Sequence, residues 1–114
     1  MEFRLLGPVE VVADGKPLPL GGRQRRTVLA ILLVNAGESV STDSLVDEIW
    51  GEAPPNAARK GIQAHVAHLR RVLNRDREVL SAAVDGYVLN IEDEFIDLTL
   101  NTSRDYQPQN KQNP

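Results

Sequence analysis

One stretch of this chain restricts the fold more than any other. Between residues 56 and 75, apolar side chains recur at helical spacing on a strongly basic background. At 100° per residue, Ile62, Val66, Leu69 and Leu73 fall in a single narrow stripe, the buried seam of an amphipathic helix. The opposite sector carries Lys60, Ala64, Ala67, His68, Arg71 and Arg75, with Arg59, Gln63 and Arg70 on one flank. A helix face that meets only water gains by mixing both signs of charge at (i, i+4) spacing. This one has five Lys and Arg residues and no acid. Cations towards the ends and alanines in the middle suit a surface pressed against a polyanion, because bulk at the centre would hold the two apart. The pattern is that of a helix that lies in a DNA groove.

The remaining sequence is enough for one compact domain, expected over residues 1–100. Hydrophobic residues make up 41% but aromatics only 4%, so the core must be built mainly from Leu, Val and Ile. The absence of cysteine excludes disulfides, thiolate metal sites and cysteine nucleophiles. The longest apolar run, residues 28–34, is far short of the roughly 20 residues of a membrane span. It also follows a cluster of arginines too deep in the chain for a secretory signal, so the expected location is cytoplasmic, at the nucleoid. Net charge is -3, yet the charges are segregated. Residues 38–52 hold five acids and no Lys or Arg, and residues 85–97 hold five more acids. The molecule is expected to be two-faced.

Short strand-like pieces at 3–6, 9–12 and 17–20 are separated by a Gly7-Pro8 break and an Asp14-Gly15 turn. A helix over 23–36, closed by Gly37, is apolar on most sides (Val28, Leu29, Ile31, Leu32, Leu33, Val34) and is expected to be the buried centre. Ser41 or Thr42 caps a second helix that carries Leu45, Val46, Ile49 and Trp50 and ends at Gly51, before the stiff Pro54-Pro55 turn. Trp50 is expected to close that helix against the sheet. Asn56 is expected to cap the basic helix. Beyond Arg77, strands at 79–84 and 87–91 flank Asp85-Gly86; a two-residue turn there pairs Val84 with Tyr87 and Leu80 with Ile91. Three strands, three helices and a hairpin in this order predict an α+β winged helix-turn-helix with an N-terminal antiparallel β-sheet and a C-terminal β-hairpin wing. Residues 101–114, rich in Asn, Gln and Pro, bury too little to offset their ordering entropy and are expected to form a disordered tail.

Individual residues divide by role. Ala64 and Ala67 are placed to meet thymine methyls, and Gln63, His68 and Arg71 to reach base edges. Arg59, Lys60, Arg70 and Arg75 suit phosphates. Ser81 in the hairpin is a weaker phosphate candidate. Arg23, Arg25 and Arg26 crowd a helix N-terminus against its dipole, which suggests either a phosphate or acidic partner surface, or pairing with acids such as Glu2 or Glu10. His65 and His68 have chelate spacing but no third ligand on their helix, so no metal is expected; His65 falls on a flank near the core. Nucleophile-elbow, phosphate-loop and metal-cluster patterns are missing, and Glu92, Asp93 and Glu94 show no paired arrangement, so neither an enzyme nor a cofactor is expected.

Several blocks together carry a family resemblance: Phe3-Arg4-Leu5-Leu6-Gly7-Pro8-Val9-Glu10-Val11, Arg23-Gln24-Arg25-Arg26, Leu45-Val46-Asp47-Glu48-Ile49-Trp50-Gly51, Pro54-Pro55 with Ala58-Arg59, Val66-Ala67-His68-Leu69-Arg70-Arg71-Val72-Leu73, and Gly86-Tyr87-Val88-Leu89. Over residues 2–91 the chain resembles the SARP family, the Streptomyces antibiotic regulatory proteins. The resemblance implies an OmpR-type winged helix that binds direct repeats in promoters of biosynthetic clusters, head to tail. It also implies activation of transcription by recruiting RNA polymerase and its sigma factor. By the family pattern the helix bearing Gln63 to Arg71 enters the major groove, and the hairpin tip near Ser81 to Gly86 approaches the minor groove. The family continues into a helical activation domain, of which Asp97-Leu98 resembles only the start. The sequence therefore predicts a sequence-specific, double-stranded DNA-binding transcriptional regulator, an activator of a secondary-metabolite cluster. The rival is a winged-helix module that sets its basic face against an acidic protein.

Overall fold

The computed structural model describes residues 2–5, 9–75 and 77–91, and the backbone of 96–97. The Gly7-Pro8 break, the acids Glu92 to Glu94 and the polar segment 101–114 lie outside the described residues. The chain divides into two compact units, one within 1–18 and 93–114 and the other within 19–92.

The first unit is a four-stranded sheet of order β3-β2-β1-β7. Strands β1 (Glu2–Leu5) and β2 (Val9–Ala13) pair antiparallel. Alternation buries Val9, Val11 and Ala13 on one face of β2 and leaves Glu10 and Val12 half-exposed on the other. Arg4 lies opposite Glu10 in this register and bonds both Glu2 (3.2 Å) and Glu10 (3.7 Å). The third strand, β3 (Lys16–Pro17), ends earlier than the expected 17–20. It pairs with β2 across Asp14-Gly15, whose φ values of 55° and 78° are those the tightest hairpin turn requires. One strand was not anticipated. The two-residue β7 (Ile96–Asp97) runs parallel to β1, so the sheet is not purely antiparallel.

The second unit holds three helices and a three-stranded sheet of order β4-β6-β5. Helix α1 (Arg23–Val34) buries Val28, Leu29, Leu32 and Leu33. Val34, one of the apolar residues expected to make this helix the buried centre, is 67% exposed, because it lies about 100° beyond Leu33 on the helix wheel. Gly37, at φ 86°, ends the following turn and donates to the Leu89 carbonyl. After β4 (Val40–Ser41), Ser41 caps α2 (Thr42–Trp50) by accepting from the Ser44 amide at 3.0 Å. Leu45 is buried in α2, whereas Trp50, expected in the core, is only half-buried, with its ring beside Gly61 of the next helix, where a Cβ would lie 3.9 Å away.

Helix α3 (Ala58–Leu73) buries Ala58, Ile62, Val66, Leu69 and Leu73. Asn56 does not cap it. Ala57 is the capping residue and makes no side-chain hydrogen bond; the helix is entered through a turn in which Ala58 donates to the Pro55 carbonyl. At the other end Asn74 stops it, so Arg75 falls beyond the helix. Asn74 donates to the Leu80 carbonyl (3.0 Å), and its oxygen accepts from the Val79 and Leu80 amides (2.8 and 2.9 Å). One side chain thereby fastens the helix to the wing.

The wing pairs β5 (Leu80–Ala82) with β6 (Gly86–Leu89), setting Leu80 opposite Leu89 and Ala82 opposite Tyr87. The expected register was two residues away. The tip is Val84-Asp85, and Gly86 belongs to the strand. A Cβ on Gly86 would lie 1.9 Å from the Val40 carbonyl oxygen and 2.6 Å from Ser41 Cα. Glycine is needed there for the close approach of β4, not for the turn.

Candidate nucleic-acid interface

The seam of α3 fixes which residues point away from the core, and neighbouring elements define the borders of that outward sector. On one flank Arg59 forms an ion pair with Asp43 in the first turn of α2. Further along the same flank Arg70 donates to Glu78 at 3.0 Å. On the other flank Trp50 covers Gly61, and the two histidines are engaged. Arg25 Nε donates to His65 Nδ1 at 3.2 Å, which places the ring proton on Nε2, 3.0 Å from the Gln24 side-chain oxygen. Burial, then the charges of Arg25 and His68, push the His65 pKa below its ordinary 6.5. His68 Nε2 lies 3.2 Å from the Pro19 carbonyl oxygen, and its ring is half-buried.

Between these borders Lys60, Gln63, Ala64, Ala67 and Arg71 are all exposed. Lys60, Ala64, Ala67 and Arg71 are spaced four, three and four residues apart, a straight stripe about 17 Å long at 1.5 Å per residue. Among the described residues the side chains of Lys60, Gln63 and Arg71 have no hydrogen bond or ion pair with the rest of the protein. Two small residues at the centre leave room for close approach, and Arg71 in the last turn also complements the helix dipole. Arg75 is exposed just past the end.

The other predicted positions are placed differently. Ser81 is half-buried and accepts from Asn90 at 3.0 Å, so its hydroxyl serves the wing. The wing carries no Lys or Arg, and its tip presents Val84, 97% exposed. At the start of α1, Arg25 is held by His65 and Arg26 donates to the Gly21 carbonyl at 2.9 Å, while Arg23 is exposed. The acids suggested for them, Glu2 and Glu10, pair with Arg4. Sequence reasoning missed Asp43 and the Pro19 carbonyl, supplied by segments far along the chain, and Glu78, which lies just beyond the end of α3 and outside its helical spacing. Among the described residues no group of three potential metal ligands comes together, and no helix is long and apolar enough to cross a membrane.

A short strand, three helices and a hairpin, with the third helix exposing a basic face, define an OmpR-type winged helix-turn-helix. The chain belongs to the family described as transcriptional regulatory protein, C terminal, whose profile matches residues 15–98. It is 41% identical over 102 residues to the transcriptional regulatory protein EmbR of Mycobacterium tuberculosis, covering 86% of this chain and 26% of EmbR. Identity to the transcriptional regulator RedD of Streptomyces coelicolor is 35% over 103 residues, covering 85% and 29%. The structure of Mycobacterium tuberculosis EmbR in complex with a low-affinity phosphopeptide matches with a TM-score of 0.77 at 41% identity, over 83% of this chain and 26% of that one. The DNA-binding domain of CpxR from E. coli, 23% identical, shares the fold at a TM-score of 0.55, over 85% and 98%. The resemblance to SARP-type regulators is thus borne out, and these relatives are regulators, not enzymes. The chain spans between a quarter and a third of the length of these curated relatives.

Proposed function

We propose that this chain is the DNA-reading part of a sequence-specific transcriptional regulator and that α3 lies in the major groove of duplex DNA. The observation that carries the reading is the straight exposed stripe from Lys60 to Arg71, basic at both ends, small in the middle and without an acid. In this reading Gln63 and Arg71 contact base edges, Ala64 and Ala67 meet thymine methyls, and Lys60 and Arg75 contact phosphates. His68 sits at the border of the contact. The wing tip approaches the minor groove through Val84 and backbone rather than through a cation. Likeness to SARP-type regulators supports the finer reading: direct repeats in promoters of a secondary-metabolite cluster, bound head to tail, with activation through RNA polymerase and its sigma factor in the cytoplasm.

Footprinting on upstream regions of neighbouring genes, followed by competition between the protected promoter duplex and random duplex, tests the DNA reading. Ala67→Glu puts bulk and negative charge at the centre of the stripe and should abolish binding while leaving the melting temperature unchanged. A folded Ala67→Glu protein that binds the promoter normally would remove this face as the DNA surface and favour an acidic protein partner. Inserting half a helical turn between the repeats should abolish cooperative binding, and undiminished cooperativity would refute the head-to-tail arrangement.

A further inference from the structure

The acids that border the α3 face point to a function of their own. We infer that Asp43 and Glu78 act as built-in competitors for DNA phosphate, holding Arg59 and Arg70 in the free protein and weakening duplex binding. The inference rests on the DNA reading above. Arg59 and Arg70 stand eleven positions apart along one flank of α3, about 20° apart on the wheel, with Gln63 beside them on the side towards the exposed stripe. Each guanidinium already bonds a carboxylate brought from outside the helix, Asp43 from α2 and Glu78 from the segment after α3. A carboxylate and a phosphate present an arginine with the same forked pair of anionic oxygens. The side chains of both pairs stay between 41% and 84% exposed, so neither pair is sealed from an incoming anion. When the duplex arrives, each arginine exchanges one anion for another, and the released carboxylate remains beside the phosphate backbone. Lys60 and Arg71 have no such competitor among the described residues.

Random duplex, which offers only phosphate contacts, isolates the effect. Asp43→Asn and Glu78→Gln should each tighten random-duplex binding about two- to five-fold, the strength typical of an exposed ion pair. Each should also steepen the log–log salt slope by up to about 0.9, one phosphate contact's worth. The promoter duplex should gain at least as much as it does from phosphate contacts alone, so a gain on promoter without a gain on random duplex overturns the inference. Asp47→Asn removes an exposed acid from the same helix and controls for the general field; a gain equal to that of Asp43→Asn overturns the specific exchange. Arg59→Gln should cancel the gain from Asp43→Asn, and a gain that survives it also refutes the idea. If the parent protein binds no duplex, the DNA reading falls and this inference with it. If the parent binds and both variants match it, only the inference falls.

Discussion

Replacing Gly86 by alanine tests what the wing is built on. If Gly86 were merely the second residue of an Asp-Gly turn, a methyl group there would cost only the strain of an unfavourable φ, about 1 kcal/mol. The structure demands more. The new Cβ would sit 1.9 Å from the Val40 oxygen and 2.7 Å from its carbonyl carbon, both backbone atoms that cannot rotate away. Relief requires β4 to move off β6 by more than an ångström, disrupting the pairing of Val40 with Tyr87 and of Ser41 with Gly86. It would also strain the 3.0 Å bond from the Thr42 amide to the Asp85 carbonyl that anchors the tip to α2. Overpacking costs roughly 1–3 kcal/mol, and each weakened hydrogen bond adds about 0.5–1.5. A loss of about 2–4 kcal/mol should lower Tm by roughly 10–20 °C in a domain of this size. Calorimetry on Gly86→Ala, with Gly15→Ala as the comparison, reads the difference directly. Gly15 has φ 78° and open space around its Cβ position, so it reports backbone strain alone. Equal, small losses at both sites would refute the close-approach argument.

Three further outcomes are expected. Truncating Arg71 or Gln63 to Ala should cost about 1–3 kcal/mol on the promoter and little on random duplex, whereas Arg75→Ala should weaken both alike and flatten the salt slope by about one unit; gel-shift titrations distinguish the two patterns. His65 is held below pH 6.5 in the folded state, so below that pH the unfolded chain takes up a proton that the folded chain refuses, and stability falls as pH drops until the folded midpoint is passed. Melting between pH 7 and about pH 5 should show this decline, and His65→Gln should flatten it; an unchanged profile would refute the assignment. Asn74→Ala strands the buried Val79 and Leu80 amides and should cost about 2–4 kcal/mol, while Asn74→Asp, which keeps the acceptor, should cost less by thermal melting.

Local pattern was legible wherever one element's own spacing decides the outcome. All four residues of the α3 seam are buried, because a 3.6-residue period leaves them no other side. Asp14-Gly15 turns as read, since both residues take positive φ and nothing among the described residues crowds Gly15. The failures share one cause. Asp85-Gly86 carries the same turn signal, yet the strand Val40–Ser41, about 45 residues earlier, needs the glycine for its approach, and the turn moves to Val84-Asp85. Val34 belongs to an apolar run that cannot itself say which member faces out. The β7 strand spans two residues and pairs with one more than ninety positions away, so no periodicity announces it.

The same division runs through the candidate site. The stripe from Lys60 to Arg71 was readable because helical spacing alone aligns it. The electrostatics were not, because a helix without acids is still surrounded by the acids of other elements. Of the five cations along 59–75, Arg71 is assigned to base edges, and the other four at about 0.9 per phosphate bound the salt slope near -3.6. Arg59 and Arg70 are already paired, which leaves Lys60 and Arg75 and a slope of about -1.8 if the pairs persist on DNA. A measured slope therefore does more than register electrostatic binding. A value close to the lower figure means that Asp43 and Glu78 keep their arginines in the complex. A value close to the upper one means that phosphate displaces them. Only at the upper figure does removing an acid leave the slope unchanged; below it each acid subtracts part or all of a contact, and its removal must steepen the slope.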